Sequence, residues 1–357
     1  MGGIPQYIAA FFLGVGLMLG VGFVAHEKPF EKHITSAPVV PQRSHPFIGT
    51  TTPDGKPYQY VSFAFDGSRS LDEWRETLDF AKAMDASNTP LHFTYFINAI
   101  YLVPEAHKNI YHPPHGNPVG LSLIGYGKDA KEIGARIALI NEAYASGHEI
   151  GSHSVGHIPG VGWSEADWKS EFTQFDDILD RARKGVDTDT ALTVPKEAVK
   201  GFRAPNLAAG ASLDTVIDAF GFAYDASYVA GLGEWPTHVG NHEEMPLVLI
   251  PYKGKRKILS MDYNFYMADS GAKDILKKGT PVWQKEHDAM LAAYMNYFTT
   301  TYNGTRAPMF IGHHFSEWND GLYWDVMKEA MTAICSKPDV RCATYQETLE
   351  YVKERGK

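Results

Sequence analysis

Residues 148–157 read His-Glu-Ile-Gly-Ser-His-Ser-Val-Gly-His, so a short strand leads directly into the pair His153 and His157. Gly147, just before this stretch, is a natural stop for the amphipathic helix that precedes it, because glycine readily adopts the left-handed backbone of a helix end. Two histidines four residues apart lie on one face if the segment is helical, and they are then able to bind one divalent cation. A chain with 15 histidines contains such a pair by chance, so the position after a strand is what makes this pair a candidate metal site.

Strands and helices alternate on both sides of this stretch. One helix starts with the capping-box pattern Ser70-Leu-Asp-Glu73. Repeated βα units with short strands predict an α/β chain folded as a deformed (β/α) barrel. The predicted strands are 60–65, 92–97, 148–151, 201–203, 222–224, 247–250, 257–263 and 308–314, and the predicted helices are 71–84, 130–146, 164–183, 212–220, 281–302, 323–334 and 344–354.

Polar residues stand where several of these strands end. Asp66 follows Phe-Ala-Phe, and Arg203 lies in Gly-Phe-Arg-Ala-Pro, an apolar context in which a lone Arg needs a carboxylate partner. Asp225 follows a predicted strand, and His313 lies at the end of another. Because the functional residues of (β/α) barrels lie at the carboxyl ends of the strands, we expect these groups to share one site with the histidine pair.

The composition of the 357 residues narrows the function classes. The chain is 44% hydrophobic and 21% charged, which is typical of a globular protein. Its 33 Lys and Arg against 42 Asp and Glu give a net charge of −9, so no nucleic-acid partner is expected. A phosphate loop of the GxxxxGK[ST] type is missing from the sequence, which disfavours phosphoryl transfer.

The N-terminal region predicts the compartment. Residues 7–25 (YIAAFFLGVGLMLGVGFVA) are 19 consecutive uncharged residues, about enough to span a bilayer as a helix. No Lys or Arg precedes them, and Phe23 is a poor residue at position −3 of a cut after Ala25, so an uncleaved anchor is favoured over a cleaved signal peptide. The predicted organisation is a signal anchor or signal peptide at 1–26, a Pro/Ser-rich linker at 27–58 and the barrel at 59–357.

The two cysteines, Cys335 and Cys342, enclose a short loop near the C-terminus. We expect the barrel to be exported to the periplasmic or extracellular face and anchored in the membrane through its N-terminal helix. In an oxidising compartment the two thiols can form a disulfide, and two unpaired core thiols are the other interpretation. Their spacing is not that of a zinc site, so any metal must be held by His and carboxylate side chains.

The strand ends carry five short motifs in a fixed order: Phe65-Asp66-Gly67, His153-Ser-Val-Gly-His157, Arg203-Ala-Pro, Tyr224-Asp225 and Ile311-Gly-His313. Their order resembles that of the NodB-homology polysaccharide deacetylases, carbohydrate esterase family 4. The resemblance extends from about residue 60 to residue 352. It implies a deformed (β/α) barrel that removes N- or O-acetyl groups from sugars and uses a divalent metal, often zinc, with cobalt as another option.

The resemblance also implies roles around the metal. His153 and His157 match the two histidine ligands, and Asp66 matches the base that deprotonates the attacking water. Arg203 would pair with Asp66 and orient it. These residue types suit the chemistry, because a bound metal lowers the pKa of water to about 7 and a carboxylate can then take its proton.

The remaining motifs imply an acid and an oxyanion donor. His313 matches the general acid that protonates the leaving amine, with Asp225 as the carboxylate that keeps the imidazole protonated. His314 is the alternative acid, although the Ile311-Gly-His register favours His313. The backbone N–H of Asn206, which follows the Arg-Ala-Pro motif, would stabilise the tetrahedral oxyanion.

The first motif departs from the family pattern, which reads Asp-Asp with the second Asp as a metal ligand. Gly67 stands at that position and has no side chain to bind a metal. Three interpretations are open. Water or Asp66 itself completes the site, the protein has lost catalysis and only binds glycan, or a side chain from the long irregular stretch 98–128 substitutes, such as His107, His112 or His115.

The sequence therefore predicts a metal-dependent hydrolase that removes acetyl groups from a cell-envelope or extracellular polysaccharide. The alternative is a catalytically inactive, membrane-tethered glycan-binding module, and a third hypothesis is a metal-dependent amidase acting on a non-sugar amide. Loss of Asp66 should abolish function in the first case and leave binding intact in the second. Aromatic residues near the predicted site that can stack on sugar rings are Trp163, Tyr228, Trp235, Tyr263 and Trp318.

Overall fold

A computed structural model describes residues 49–254 and 256–355. The predicted anchor or signal peptide at 1–26 and residues 27–48 of the linker lie outside the described residues. Within the described part of the chain, no helix is long and apolar enough to cross a membrane.

Strands and helices alternate through the described chain. The strands are β1 (Gln59–Asp66), β2 (Phe93–Ile97), β3 (Glu149–Ser152), β4 (Gly201–Phe202), β5 (Tyr224–Asp225), β6 (Val229–Gly231), β7 (Thr237–Val239), β8 (His242–Glu244), β9 (Leu247–Tyr252), β10 (Arg256–Leu259), β11 (Met309–His314) and β12 (Val340–Cys342). The α-helices are α1 (Leu71–Ala86), α2 (Ala130–Ala145), α3 (Glu165–Arg183), α4 (Ser212–Phe220), α5 (Asp262–Ser270), α6 (Pro281–Asn303), α7 (Trp318–Cys335) and α8 (Tyr345–Arg355). Short 3-10 helices lie at Ala99–Leu102, Glu105–Ile110, Lys196–Ala198 and Pro205–Leu207.

Side-chain caps set where several helices begin. Ser70, Asp129 and Thr280 each accept a hydrogen bond from a backbone N–H in the first turn of α1, α2 and α6. Ser164 forms a complete capping box with Asp167 at the start of α3. These short polar residues satisfy helix N–H groups that have no partner within the helix, which fixes the residue at which each helix begins.

The sheet curls into a half-barrel. Within the described residues its strand order is β11-β1-β2-β3-β4-β5-β8-β7, with β12 also beside β1, and every pair is parallel except β7 with β8. A second sheet of order β10-β9-β6 adjoins β11, where Gly312 N–H donates to the carbonyl of Ser260 at 2.9 Å. This arrangement confirms a mixed α/β fold with a curled half-barrel sheet, whereas the N-terminal hydrophobic helix of the predicted fold lies outside the described residues.

Alternate residues of β1 pack into two apolar layers. Phe63 and Phe65 belong to the larger cluster with Trp74 of α1, whereas Ala64 belongs to a smaller cluster with Tyr345 of α8. This alternation follows from the two-residue period of a strand. The smaller cluster fills the inside of the curled sheet, so the inward-facing side chains at the strand ends have a rigid support.

Two details of the described chain bear on the predictions. Cys335 and Cys342 form a disulfide between the end of α7 and β12, which confirms the predicted pairing. The predicted strand 257–263 was too long, because β10 ends at Leu259 and α5 begins at Asp262. That early helix start places Asp262 at the site described below.

Candidate active site

The register of the parallel strands decides which strand-end side chains share a face. Asp66 at the end of β1 is paired with His314 at the end of β11, and on its other side with Phe96 of β2. Phe96 is in turn paired with Gly151 of β3. Because His153 lies two residues after Gly151, its side chain points to the same face as Asp66 and His314.

A pocket of about 370 Å³ opens on this face. Its walls combine ionisable and apolar side chains, which is typical of small-molecule and catalytic sites. It is lined by Asp66, His153, His157, Asn206, Leu207, Leu259, Met261, Tyr263, Asn264 and His314. Of the predicted site residues, Asp66, both histidines of the pair and Asn206 therefore meet in one place.

Asp66 and Arg203 form a buried ion pair. Arg203 Nη1 donates to Asp66 Oδ1 at 2.7 Å, and both side chains are almost completely buried. Burial opposes ionisation of the carboxyl group, but the positive charge of Arg203 outweighs it and lowers the pKa of Asp66. The carboxylate is consequently ionised over the whole neutral range, as a proton acceptor must be.

Arg203 is itself held by the inner cluster. Its Nη2 donates to Tyr345 Oη at 2.6 Å, and its guanidinium lies 4.4 Å from the ring centre of Phe96. A fully buried arginine needs both charge and hydrogen-bond partners, and these contacts supply them. Tyr345 lies near the C-terminal end of the chain, so α8 contributes to the site from a distance in sequence that no local motif reveals.

His153 and His157 are both present as neutral imidazoles. Burial lowers the pKa of His153 to about 3 and also lowers the pKa of His157. His153 Nδ1 donates to the carbonyl oxygen of Arg203 at 2.7 Å, which leaves Nε2 as its basic nitrogen. The two ring centres are 5.0 Å apart. A neutral imidazole whose Nδ1 is held by a hydrogen bond has the form in which histidine binds metals, and His153 has that form.

Imidazole and carboxylate groups are the kinds of ligand that a divalent cation binds, but the pocket offers fewer of them than a complete metal site needs. Within residues 49–254 and 256–355, no three His, Cys, Asp or Glu side chains are close enough together to hold a metal ion. The stretch 98–128 does not supply a third ligand to the pocket, because none of its residues lines it. His107 pairs with Asp187 and His115 with Asp167, and His112 is exposed on the surface. The structure thus presents two histidines beside a carboxylate that Arg203 already holds.

Gly67 occupies a turn that favours glycine. Its φ angle is 80°, a left-handed conformation that residues with a side chain rarely adopt. A Cβ atom built at this position meets no other atom within 4 Å, so space is not the obstacle. The glycine is therefore explained by the backbone conformation of the turn after β1.

Of the adjacent His313 and His314, it is His314 that lines the pocket, and a buried carboxylate that the sequence analysis missed is bonded to it. Its Nδ1 lies 2.7 Å from Asp262 Oδ1, and its backbone N–H donates to Asp262 Oδ2 at 2.8 Å. Burial lowers the pKa of His314, but the attraction of Asp262 outweighs it and raises the pKa above the usual value. With 28% of its side chain exposed, His314 presents Nε2 to the pocket as a proton donor.

The prediction that His313 faces the site is corrected by the strand register. His313 is paired with Phe65, so it points to the opposite face of the sheet from His314. There its Nε2 lies 2.9 Å from Tyr294 Oη of α6, and the side chain is almost completely buried. Burial lowers the pKa of His313 to about 4, so it is a neutral core histidine.

The predicted pairing of Asp225 with His313 is also corrected. Asp225 accepts a hydrogen bond from the backbone N–H of Ser227 at 3.0 Å. It also accepts one from the hydroxyl of the same serine. Ser227 Oγ in turn accepts from Ala204 N–H at 2.8 Å. Burial raises the pKa of Asp225 to about 7. Its contacts support the segment after Arg203, whereas the carboxylate beside the pocket histidine is Asp262.

The same signal that indicated Asp66 would have found Asp262, since both follow a run of apolar residues. Asp262 was not recognised because the predicted strand 257–263 placed it inside a strand and not at a strand end. Asn206 lies where expected, with a left-handed φ of 56° in a 3-10 helix, and Tyr263 lines the pocket and remains partly exposed. Trp163, in contrast, is buried against Trp168 in the core.

No protein-family model and no curated protein matches this chain. Among solved structures, a protein from Mycobacterium smegmatis described as a candidate polysaccharide deacetylase superposes with a TM-score of 0.52 at 16% identity, covering 90% of this chain and 96% of that chain. The CE4 domain of a xylanase from the hindgut metagenome of Trinervitermes trinervoides has a TM-score of 0.42 at 12% identity, covering 84% and 92%. A family 4 acetyl xylan esterase from Clostridium thermocellum, in complex with cobalt, has a TM-score of 0.43 at 15% identity, covering 82% and 90%. This chain and the M. smegmatis protein share a fold, and the similarity extends no further than the fold.

Proposed function

We propose that this protein is a hydrolase that removes acetyl groups from a polysaccharide with the help of a divalent metal. The observation that carries the proposal is the convergence of an ionised Asp66, two neutral histidines and His314 in one pocket, with the buried Asp262 bonded to His314 from behind. A base and an acid whose pKa values are moved apart are what acyl transfer to water requires. The shared fold with a candidate polysaccharide deacetylase supports the same assignment.

His153 and His157 are the residues that would hold the cation, zinc or cobalt, with solvent completing its coordination and Asp66 kept as the base. When bound, such an ion polarises the acetyl carbonyl and makes water acidic enough to attack at neutral pH. His153 is prepared for this role by the hydrogen bond from its Nδ1 to Arg203 O, which fixes the ring and leaves Nε2 as the ligand atom.

The chain's own groups carry the proton transfers. Asp66 would accept a proton from the attacking water, and Arg203 keeps that carboxylate ionised and aimed at the pocket. His314 would donate a proton from Nε2 to the leaving nitrogen or oxygen of the sugar, while Asp262 holds Nδ1. The backbone N–H of Asn206 would stabilise the oxyanion. In this proposal His314 and Asp262 take the roles that the motif order suggested for His313 and Asp225.

The cellular setting is part of the proposal. The uncharged span 7–25 would anchor the chain in the membrane, with the barrel at the periplasmic or extracellular face. The disulfide between Cys335 and Cys342 supports an oxidising compartment, since such bonds are uncommon in the cytosol. An exported hydrolase of this kind would meet acetylated polysaccharides of the cell envelope or surroundings as its substrates.

The test is acetate release by the full-length protein loaded with zinc or cobalt. Acetylated chitin oligomers, peptidoglycan and acetylated xylan would be assayed in parallel with simple non-sugar amides. Release from a carbohydrate, abolished in His314→Gln and retained in His313→Gln, is the expected result. Release from non-sugar amides alone would replace the proposal with the amidase hypothesis.

A glycan-binding module without catalysis is the second candidate function. The observation that favours it is the absence, within the described residues, of a third metal ligand where Gly67 leaves a gap. A module of this kind would bind the same oligosaccharides with equal affinity before and after Asp66→Asn, and would release no acetate in either form. Calorimetric titration of the two proteins separates the candidates.

A further inference from the structure

A buried carboxylate accepts a hydrogen bond from the loop between the two pocket histidines. This carboxylate takes no part in the proposed reaction. Glu171 of α3 is completely buried, and its Oε1 accepts the backbone N–H of Val155 at 2.8 Å. Its Oε2 accepts the hydroxyl of Tyr111 at 2.9 Å. Val155 is the middle residue of the segment 153–157, so Glu171 holds the backbone midway between the two imidazoles.

The loop requires such an anchor because its backbone is unusual. Ser154 and His157 have φ angles of 64° and 59°, in the left-handed region that residues other than glycine rarely adopt. Conformations of this kind persist only where the surroundings hold them in place. Further bonds come from the stretch 98–128, where Ala99 N–H donates to Ser154 O and Ile100 N–H to Val155 O.

A carboxyl group is a costly way to fill this position. Taking a carboxyl group out of water is unfavourable, and an apolar side chain of similar volume would pack without that cost. What the carboxyl group adds is directional acceptance of the Val155 N–H and the Tyr111 hydroxyl, two bonds that a leucine cannot make. The geometry therefore indicates a role in placing the loop.

We propose that Glu171 is a positioning residue that sets the distance and orientation of His153 and His157, and that Tyr111 couples the stretch 98–128 to the site through it. The inference rests on the proposed function in that it takes these histidines as cation ligands. In this proposal the long stretch 98–128 supports the two histidine ligands. It does not provide a third histidine ligand itself.

The experiment compares Glu171→Leu, Glu171→Gln and Tyr111→Phe in the full-length protein. The matched control is Asp218→Asn, because Asp218 of α4 likewise caps a loop by accepting the Asn241 N–H, in the turn between β7 and β8 and away from the pocket. Cobalt affinity is measured by titration of the visible absorption, well below each variant's melting temperature. The dissociation constant should rise about tenfold or more in Glu171→Leu, as for other residues that orient metal ligands.

Glu171→Gln should lose less affinity, because an amide oxygen still accepts the Val155 N–H, and Asp218→Asn should bind cobalt like the wild type. A folded Glu171→Leu protein with wild-type affinity and an unchanged absorption band would overturn the inference. If Glu171→Leu does not fold, unchanged affinity and absorption in both Glu171→Gln and Tyr111→Phe would overturn it equally.

A second readout needs no metal and separates this inference from the proposed function. The imidazole resonances of His153 and His157 in nitrogen-15-labelled protein should shift in Glu171→Leu and stay unchanged in Asp218→Asn. A wild-type protein that binds no cobalt defeats the proposed metal site, and the imidazole shifts then decide the positioning role alone. Unchanged resonances in Glu171→Leu, or in Glu171→Gln and Tyr111→Phe if the leucine variant does not fold, defeat the positioning role whatever the metal result.

Discussion

The two ends of β1 face cavities of similar size and different chemistry. Near its start, beside β12 and the disulfide, lies a cavity of about 410 Å³, and at its end lies the pocket of about 370 Å³. Eight residues of extended chain separate the two ends by roughly 23 Å. Volume alone therefore does not distinguish the two ends, and ionisable side chains line both cavities, including His92, Arg341 and Glu347 at the start of β1.

The charges at the two ends differ in burial and in partners. At the start of β1, Arg341 donates to the carbonyls of Pro338 and Val340, and Glu347 accepts the Thr344 N–H. His92 Nδ1 also lies 3.4 Å from Glu347 Oε1, so the charged groups at this end combine turn contacts with one pair between elements. At the other end, Asp66, Arg203, His153 and His314 contact or face one another across different strands. Ionisable groups that converge from separate elements with displaced pKa values are the better sign of a functional site.

The largest expected effect is the loss of activity in Asp66→Asn. An amide cannot accept the proton of the attacking water, so acetate release should fall by about 10²–10⁴-fold. Removing this charge also leaves Arg203 without its counter-ion, so the melting temperature should drop as well. Acetate release and thermal unfolding measure the two effects.

The control for this variant lies at the opposite end of β1. Glu347→Gln replaces a carboxylate there and should leave kcat unchanged. If Glu347→Gln reduced kcat as much as Asp66→Asn does, the functional distinction between the two ends would be wrong.

The next effect distinguishes adjacent histidines. His314→Gln should lower kcat by about 10²-fold or more, because it removes the proton donor of the pocket. His313→Gln changes a buried histidine that bonds Tyr294, so it should lower the melting temperature and leave kcat within a few-fold of the wild type. The reverse order of effects on kcat would restore His313 as the acid.

A smaller effect concerns pH dependence. Asp262 raises the pKa of His314, and the acid must be protonated to act, so activity is lost as the pH rises through that pKa. Asp262→Asn removes the attraction and lowers this pKa, so the basic limb of the kcat profile should move to lower pH. Other charged or titratable groups near His314 are Asp66, Arg203, His157 and His313.

A profile of kcat against pH for the two proteins measures this shift. The acidic limb should not move in Asp262→Asn, because the pKa of Asp66 is lowered by Arg203, which this variant leaves in place. A basic limb that does not move would exclude His314 as the titrating acid.

The smallest effect on activity is expected from reduction of the disulfide. Opening the Cys335–Cys342 loop, with a sequence separation of 7, should cost about 2.5 kcal/mol of stability from chain entropy. The melting temperature should therefore fall by several degrees, while kcat at 25 °C stays the same, since the bond lies at the other end of β1. Calorimetry and acetate release with and without a reductant make the comparison, and a parallel loss of kcat would show that the two ends are coupled.

Much of the fold and about half of the site could be predicted from local patterns. The alternation of strands and helices, the caps and the disulfide pair are short-range features, and the described structure has them. Asp66, His153, His157 and Asn206 line the pocket as expected. Tyr345 was missed because it reaches the site from an element distant in sequence. Asp262 was missed because the predicted strand extended to residue 263, and Glu171 because nothing in the pattern of α3 distinguishes it from the other acidic residues of that helix.

The sequence by itself determined which residue types stand at the strand ends, because apolar alternation and helix caps are encoded within a few residues. Only the tertiary structure decided between His313 and His314. A strand alternates its side chains between two faces, and which face becomes the pocket depends on the register of β11 against β1, with His314 beside Asp66. That register is set by packing across the whole sheet, which no neighbouring residue of the sequence specifies.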